Sequence, residues 1–263
     1  MPNYLFGKAV GRAAKRQQGH RKVLIVGAYP SALHVEWHPA GFKRAVKAVA
    51  VDDEPEPFWN GLDQEERIEA WKRQIGFSPA WGEVRACRHL NGSSGSWVDD
   101  QILGPLQLDR EAAWITDCLD TYFESSDAAA RLRTPELQDV VKRLGISRAC
   151  HLRHPSQSQI VRQARAEEER LLRELDEARP QRLVTLGNAA LLVFRRVLDQ
   201  NDAPSRLTPD TAYGRPRQVT RGNRSFEWIA LAHPGLLRRT TDKVMPYKQA
   251  HDRWMKTQGR AAV

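Results

Sequence analysis

Residues 23–31, Val-Leu-Ile-Val-Gly-Ala-Tyr-Pro-Ser, constrain the fold more than any other stretch. Four β-prone apolar residues run unbroken into Gly27, and Pro30 ends the run. An apolar run that does not alternate suits a strand covered on both faces, as in a parallel sheet between layers of helices. In such sheets the ligand crevice lies beyond the carboxyl ends of the strands, which puts residues 27–31 at the mouth of a prospective site. Further strands read at 45–51, 113–116, 182–187 and 226–232. Helices read at 63–75, 127–145, 156–178, 189–198 and 246–257. The first of these helices has Asp63 as a prospective cap with Glu66 at capping-box spacing. Strands alternating with helices predict an α/β fold, a three-layer α/β/α sandwich around a central, mainly parallel four-stranded sheet.

Composition narrows the partner. The chain of 263 residues carries 41 Lys and Arg against 32 Asp and Glu, a net charge of +9. That balance favours a polyanion, most simply nucleic acid. Basic residues are dense in 1–22, which reads as an N-terminal arm, and again from Arg238 to Lys256. The remainder, 23–263, reads as a single domain. The three cysteines stand far apart, with no Cys-x-x-Cys, and are too few for a four-thiolate cluster. His34 and His38 have no second cluster to complete a metal site, so they read as loop or surface groups, and no metal or cofactor is expected. No apolar run is long enough to cross a bilayer and none follows the basic start, so the expected setting is cytoplasmic, monomeric and away from membranes. The loop Gly92-Ser93-Ser94-Gly95-Ser96 lacks the nucleophile-elbow spacing. Gly27 stands without a Gly-x-Gly-x-x-Gly pattern and there is no Walker lysine, which argues against a nucleotide-binding enzyme. The Arg- and Glu-rich face of 156–178 reads as solvated.

Four strands end in polar signatures: Gly-Ala-Tyr-Pro-Ser at 27–31, Asp-Asp-Glu-Pro at 52–55, Thr-Asp at 116–117 and His-Pro-Gly-Leu-Leu at 233–237. If all four strands are parallel, these signatures meet at one sheet edge. Here the chain resembles the uracil-DNA glycosylase superfamily over about residues 22–257. That superfamily has a Gly-x-(Asp/Asn/Glu/Ala)-Pro-x motif after the first strand, a Phe-Trp stretch, an apolar-Thr-Asn strand, a Pro-x-x-Ile-Val-x-Leu-Gly strand and a closing His-Pro segment. The matching stretches are 27–31, Phe58-Trp59, 114–117, 180–187 and 233–237, in that order. Residues 119–149 look like an insertion. His154-Pro155-Ser156 is a more literal match to the closing motif, but it precedes a helix and follows no strand, so His233 is preferred.

The resemblance implies a metal-independent, monofunctional DNA glycosylase. Such an enzyme flips a base out of the duplex and hydrolyses its N-glycosidic bond, leaving an abasic site. It implies His233 as the group that stabilises the leaving base. Gly27, Ala28, Tyr29, Asp117 and Phe58 would form the base pocket. Leu236 or Leu237 would be the wedge in the stack, and Arg238 and Arg239 would grip phosphates. Tyr29 stands where many members have Asp, Asn or Glu, and a phenol is a poor base at neutral pH. The acid that orients water is therefore expected from Asp53, Asp52 or Glu54, with Asp53 foremost. Asp117 stands where members read uracil with Asn. A carboxylate only accepts hydrogen bonds, which disfavours uracil O4 and suits the N4 amino group of a cytosine-type base. Ala50 and Val51 replace the usual stacking aromatic, whose role falls to Trp37, Phe58 or Trp59 or leaves a larger pocket. The expected substrate is a damaged or modified pyrimidine: a modified cytosine of phage DNA, in antiphage defence, or uracil in base-excision repair. The alternative is a nucleic-acid-binding protein of the same fold without catalysis.

Overall fold

The computed structural model describes residues 2–11, 17–150 and 152–258. Arg12, Lys15 and Arg16 of the expected arm lie outside the described residues. The chain divides into two compact units. One comprises Met1–Lys15, Pro30–Gly95 and Asp120–Pro155, the other Arg16–Tyr29, Ser96–Leu119 and Ser156–Val263. Residues 23–263, expected as a single domain, are shared between both units, and the segment after the first strand builds a sheet and core of its own. In chain order the strands are β1 Val23–Gly27, β2 Ala32–Pro39, β3 Val46–Asp53, β4 Gly82–Ala86, β5 Ala113–Asp117, β6 Arg182–Leu186, β7 Arg217–Arg221 and β8 Arg224–Leu231.

The second unit holds a five-stranded sheet of order β5-β1-β6-β8-β7. The first four of these strands are parallel and β7 runs antiparallel to β8. Every residue of β1 and β5 is buried, as the unbroken apolar run requires. The helices Glu168–Ala178 and Gly187–Val197 pack against β1, and the latter also against β6 and β8. The sheet is therefore α/β and mainly parallel, with five strands in place of the expected four. The extra strand, β7, falls between the helix read at 189–198 and the strand read at 226–232. It is an edge strand with Val219 as its one buried residue, so its sequence shows little apolar alternation. It turns into β8 through Gly222-Asn223, with Gly222 at φ 59°.

The first unit holds a three-stranded antiparallel sheet of order β3-β2-β4. The strand expected at 45–51 is β3, so it pairs here and not in the parallel sheet. Its partner β2 contains His34 and His38, which read as loop or surface groups; Leu33, Val35 and Trp37 alternate along it, all buried. The core of this unit also takes in residues of the presumed arm. Tyr4, Leu5 and Phe6 are buried, and the Phe6 ring lies 5.1–5.7 Å from those of Trp37, Trp71, Phe77 and Trp81. Burying a side chain of that size stabilises by about 1.5–3 kcal/mol, so this apolar triplet does not remain a solvated arm. The 127–145 region forms two helices, Ser126–Leu132 and Pro135–Arg143, which add Leu132, Leu137, Val140 and Val141 to the same core. Asp63 does not cap the helix Gln64–Ile75. Its carboxylate accepts instead from Trp59 Nε1 at 2.7 Å and Arg67 Nε at 2.9 Å.

Candidate functional site

The carboxyl edge of the parallel sheet is built by pairing β1 with its neighbours. Gly27 lies in register with Asp117, and the ladder continues past the strands: the Gly27 and Ala28 carbonyls accept from the Cys118 and Leu119 N–H groups, both at 3.0 Å. The chain crosses from β1 to β5 on one side and reaches β6 on the other. This reversal places a topological switch point beside β1, the position at which ligands bind in open α/β sheets.

Asp117 is 5% exposed, and among the described residues neither of its carboxylate oxygens has a hydrogen-bond partner. Burial pushes its carboxyl up to about 7; the Arg170 charge opposes this and Glu174 adds to it. Arg170 is close, yet its donors go elsewhere. Nε donates to Glu167 at 2.7 Å, and Nη1 donates to Thr116 Oγ1 at 3.2 Å and to Glu174 at 3.0 Å. Nη2 donates to the backbone carbonyls of Asp117 at 2.9 Å and Cys118 at 3.1 Å. The guanidinium thus fixes the backbone on which Asp117 stands and leaves the carboxyl without a donor. An unpaired buried carboxyl costs several kcal/mol, and such groups mark sites where a ligand supplies the missing partner. Tyr29, after β1, is mostly buried, and its phenol is pushed up to about 12, first by burial and then by the Asp117 charge.

Sequence reading missed Arg170 by treating its helix as a solvated face. The segment forms two helices, Gln157–Gln163 and Glu168–Ala178, and the second turns Arg170 inward toward β5. The readable signal was one Arg flanked by Glu167 at i−3 and Glu174 at i+4, an arrangement that holds a guanidinium in place.

His233 follows β8 and caps the short helix Pro234–Leu237. Its Nδ1 accepts from the Gly235 N–H at 3.1 Å. Burial pushes the imidazole down to about 4, so the ring is neutral at pH 7. With Nδ1 accepting, the ring proton of the neutral imidazole sits on Nε2. Gly187, which opens the helix after β6, has φ 85°, and a Cβ there would stand 3.3 Å from the His233 Cβ. That close approach and the left-handed backbone both favour glycine. Leu236 is partly exposed, whereas Leu237 is 6% exposed and is part of the interior, which removes it as a wedge. Arg238 and Arg239 are exposed. His154 of the rival motif is exposed in the first unit, and Ser156 after it makes a capping box with Gln159, so that His-Pro-Ser is a helix start.

The acidic tract belongs to the first unit, at the end of β3, and forms no part of the parallel sheet edge. Asp53 Oδ1 accepts from the Tyr4 hydroxyl at 2.8 Å and from the Gly11 N–H at 3.0 Å; Oδ2 lies 3.1 Å from the same N–H. A Cβ at Gly11 would stand 2.4 Å from Oδ2, so only glycine allows this approach. Asp52 pairs with Lys8 and accepts from the Asp53 N–H at 2.7 Å. Glu54 is buried and accepts from the N–H groups of Ser31 at 2.9 Å and Trp59 at 3.2 Å. These carboxylates anchor the N-terminal segment and a turn, so Asp53 and Asp52, expected to orient water, are engaged by protein partners. Phe58 is buried in the same unit with φ 52°, an uncommon backbone for a bulky residue. Of the expected site residues, the second unit's sheet edge gathers Gly27, Ala28, Tyr29, Asp117 and His233; Asp52, Asp53 and Phe58 belong to the other unit.

Models of known protein families do not match this chain, and neither does any curated protein.

Proposed function

We propose that the chain is a DNA glycosylase with the three-layer sandwich of the uracil-DNA glycosylase superfamily, acting on a damaged or modified pyrimidine. The observation that carries this reading is a buried carboxyl without a protein partner, Asp117, on the same sheet edge as a neutral histidine, His233. Three strand spacings separate β5 from β8, roughly 14 Å at the backbone, a span suited to a flipped pyrimidine held between the two side chains. Asp117 reads the base edge. His233, with its proton on Nε2, donates to the base as negative charge develops on it during departure. A neutral imidazole suits this work, since its donor strengthens as the charge grows and no proton needs to be lost first. Arg170 is a positioning residue that acts through the Asp117 backbone. Leu236 wedges into the gap in the stack, and Arg238 and Arg239 hold flanking phosphates.

The objection to uracil drawn from a carboxylate at position 117 weakens with the carboxyl near 7, because a neutral acid both donates and accepts. Uracil therefore stands beside modified cytosine as a substrate. The test is a panel of duplexes carrying uracil, hypoxanthine, 5-hydroxymethylcytosine or its glucosylated form, followed by cleavage at abasic sites. One or more pyrimidines should be released, and His233→Ala should slow release about 10²–10³-fold. Release by the variant at the wild-type rate would remove His233 from the mechanism. A second reading, DNA binding without catalysis, is favoured by the engagement of Asp53 and by Tyr29 in the acid position. Tight binding with no abasic site on any duplex would establish it.

A further inference from the structure

We infer that Asp117 reads its base as a carboxylic acid, taking up one proton as it closes on an edge that presents a hydrogen-bond donor beside an acceptor. This deepens the glycosylase reading and rests on it.

The geometry comes first. Both oxygens are buried and, among the described residues, without partners, so a base edge that reaches them meets two unfilled hydrogen-bonding positions. A carboxylate fills both positions with acceptors. Its two-point complement is an edge with two adjacent donors, as guanine has at N1 and N2. Pyrimidine edges are not built that way. Uracil sets the N3–H donor beside the O4 acceptor, and cytosine sets the N4 amino donor beside the N3 acceptor. Against either, an ionised Asp117 makes one hydrogen bond and turns its second oxygen toward a lone pair. The acid form, one acceptor and one donor, makes two bonds to each. The same proton serves both bases, because it can sit on either oxygen, as an amide serves both by turning over. No covalent step is involved: the proton comes from solvent on closure and returns to solvent on release.

Among the described residues no donor bonds either Asp117 oxygen. The groups around Asp117 are Arg170 and Glu174 from the helix Glu168–Ala178, Tyr29 after β1, and Cys118 next in the chain. Arg170 directs its donors to carbonyls, a hydroxyl and two other carboxylates. Glu174 adds negative charge, which favours the proton on Asp117. Tyr29 and Cys118 are both pushed up, first by burial, and remain uncharged at neutral pH. The carboxyl near 7 means that the free protein is largely ionised at pH 8 and half protonated near neutrality, so uptake is measurable.

The experiment is a calorimetric titration of the full chain with duplexes bearing uracil or 5-hydroxymethylcytosine on a non-hydrolysable 2′-fluoro sugar, at pH 8. Running it in two buffers of different ionisation enthalpy counts the protons, and an unmodified duplex subtracts backbone effects. The wild type should take up close to one proton per base bound, and its affinity should fall about tenfold per pH unit above 7. Asp117→Asn should bind the same duplexes with no uptake and a flat profile from pH 6 to 9. Equal uptake by wild type and variant would overturn the inference. So would tighter wild-type binding at pH 8 than at pH 6, or a preference for a guanine edge. Proton-linked binding with no excision of any base would support the inference and overturn the glycosylase reading alone.

Discussion

Asp53 and Asp117 each end a β-strand, and their units treat them in opposite ways. In the first unit, the Tyr4 hydroxyl and the Gly11 N–H engage Asp53, and Asp52 beside it pairs with Lys8. In the second, Asp117 is as deeply enclosed as a core residue and has no donor among the described residues, although a guanidinium lies near enough to bond its own carbonyl. The first arrangement stabilises a fold. The second costs stability and leaves two hydrogen-bonding positions open. Two acids at strand ends are equivalent in sequence; what separates a fastening from a binding group is whether the protein supplies the donor.

The comparison breaks most decisively at Asp117. Its folded carboxyl is near 7 and an unfolded one is near 3.9, so the native state holds this proton to higher pH. Stability from this group is fully present below about pH 4 and is lost as pH rises through about 7. Asp117→Asn, which keeps the shape of the neutral acid, should therefore stabilise the protein at pH 8 by roughly 4 kcal/mol in urea unfolding, with the gain vanishing toward pH 4. No gain at pH 8 would mean that the carboxylate has a partner after all.

Asp53→Ala should act with the opposite sign. It leaves the buried Tyr4 hydroxyl and the Gly11 N–H without an acceptor, a loss of about 3 kcal/mol. Base release by the folded variant should keep the wild-type rate. A fall of a hundredfold or more in a variant that is still folded would return Asp53 to the chemistry.

The smallest effect sharpens the contrast from the other side. Asp176 pairs with Arg221 and Arg224 on the surface, and the Arg221 hydrogen bond is the first of the causes that hold its carboxyl below the usual range. Stability from a depressed carboxyl is present above its unfolded value and lost as pH falls through the folded one. With solvent screening an exposed pair, Asp176→Asn should lose less than about 1 kcal/mol at pH 7, and even that should shrink in high salt.

Much of the second unit was legible. The apolar run at 23–26 and the mostly apolar stretch 183–186 mark strands buried on both faces, and the residues after them mark the edge that holds the site. The apolar run into His233-Pro234 likewise located β8, whereas the short helix Pro234–Leu237 was not read. The first unit was less legible. The run into Asp52 and Asp53 has the composition of a parallel strand, and nothing local says that its partner is β2. The apolar residues Tyr4, Leu5 and Phe6 were masked by the lysines and arginines around them. Arg170 was hidden for a related reason, since a helical face crowded with charges looks the same whether one of them turns inward or all face water.

The chain by itself determined which segments are strands with two apolar faces, where those strands stop, and that a histidine and an acid stand at such stops. These properties come from hydrophobic periodicity and from Gly and Pro punctuation, which act over a few neighbouring residues. Only the tertiary structure decided that β3 joins a separate sheet, that Asp53 is fastened and that Asp117 is unpaired. Strand pairing and the ionisation of a carboxyl depend on groups far away in sequence, because burial and hydrogen-bond donors arrive only when distant segments pack.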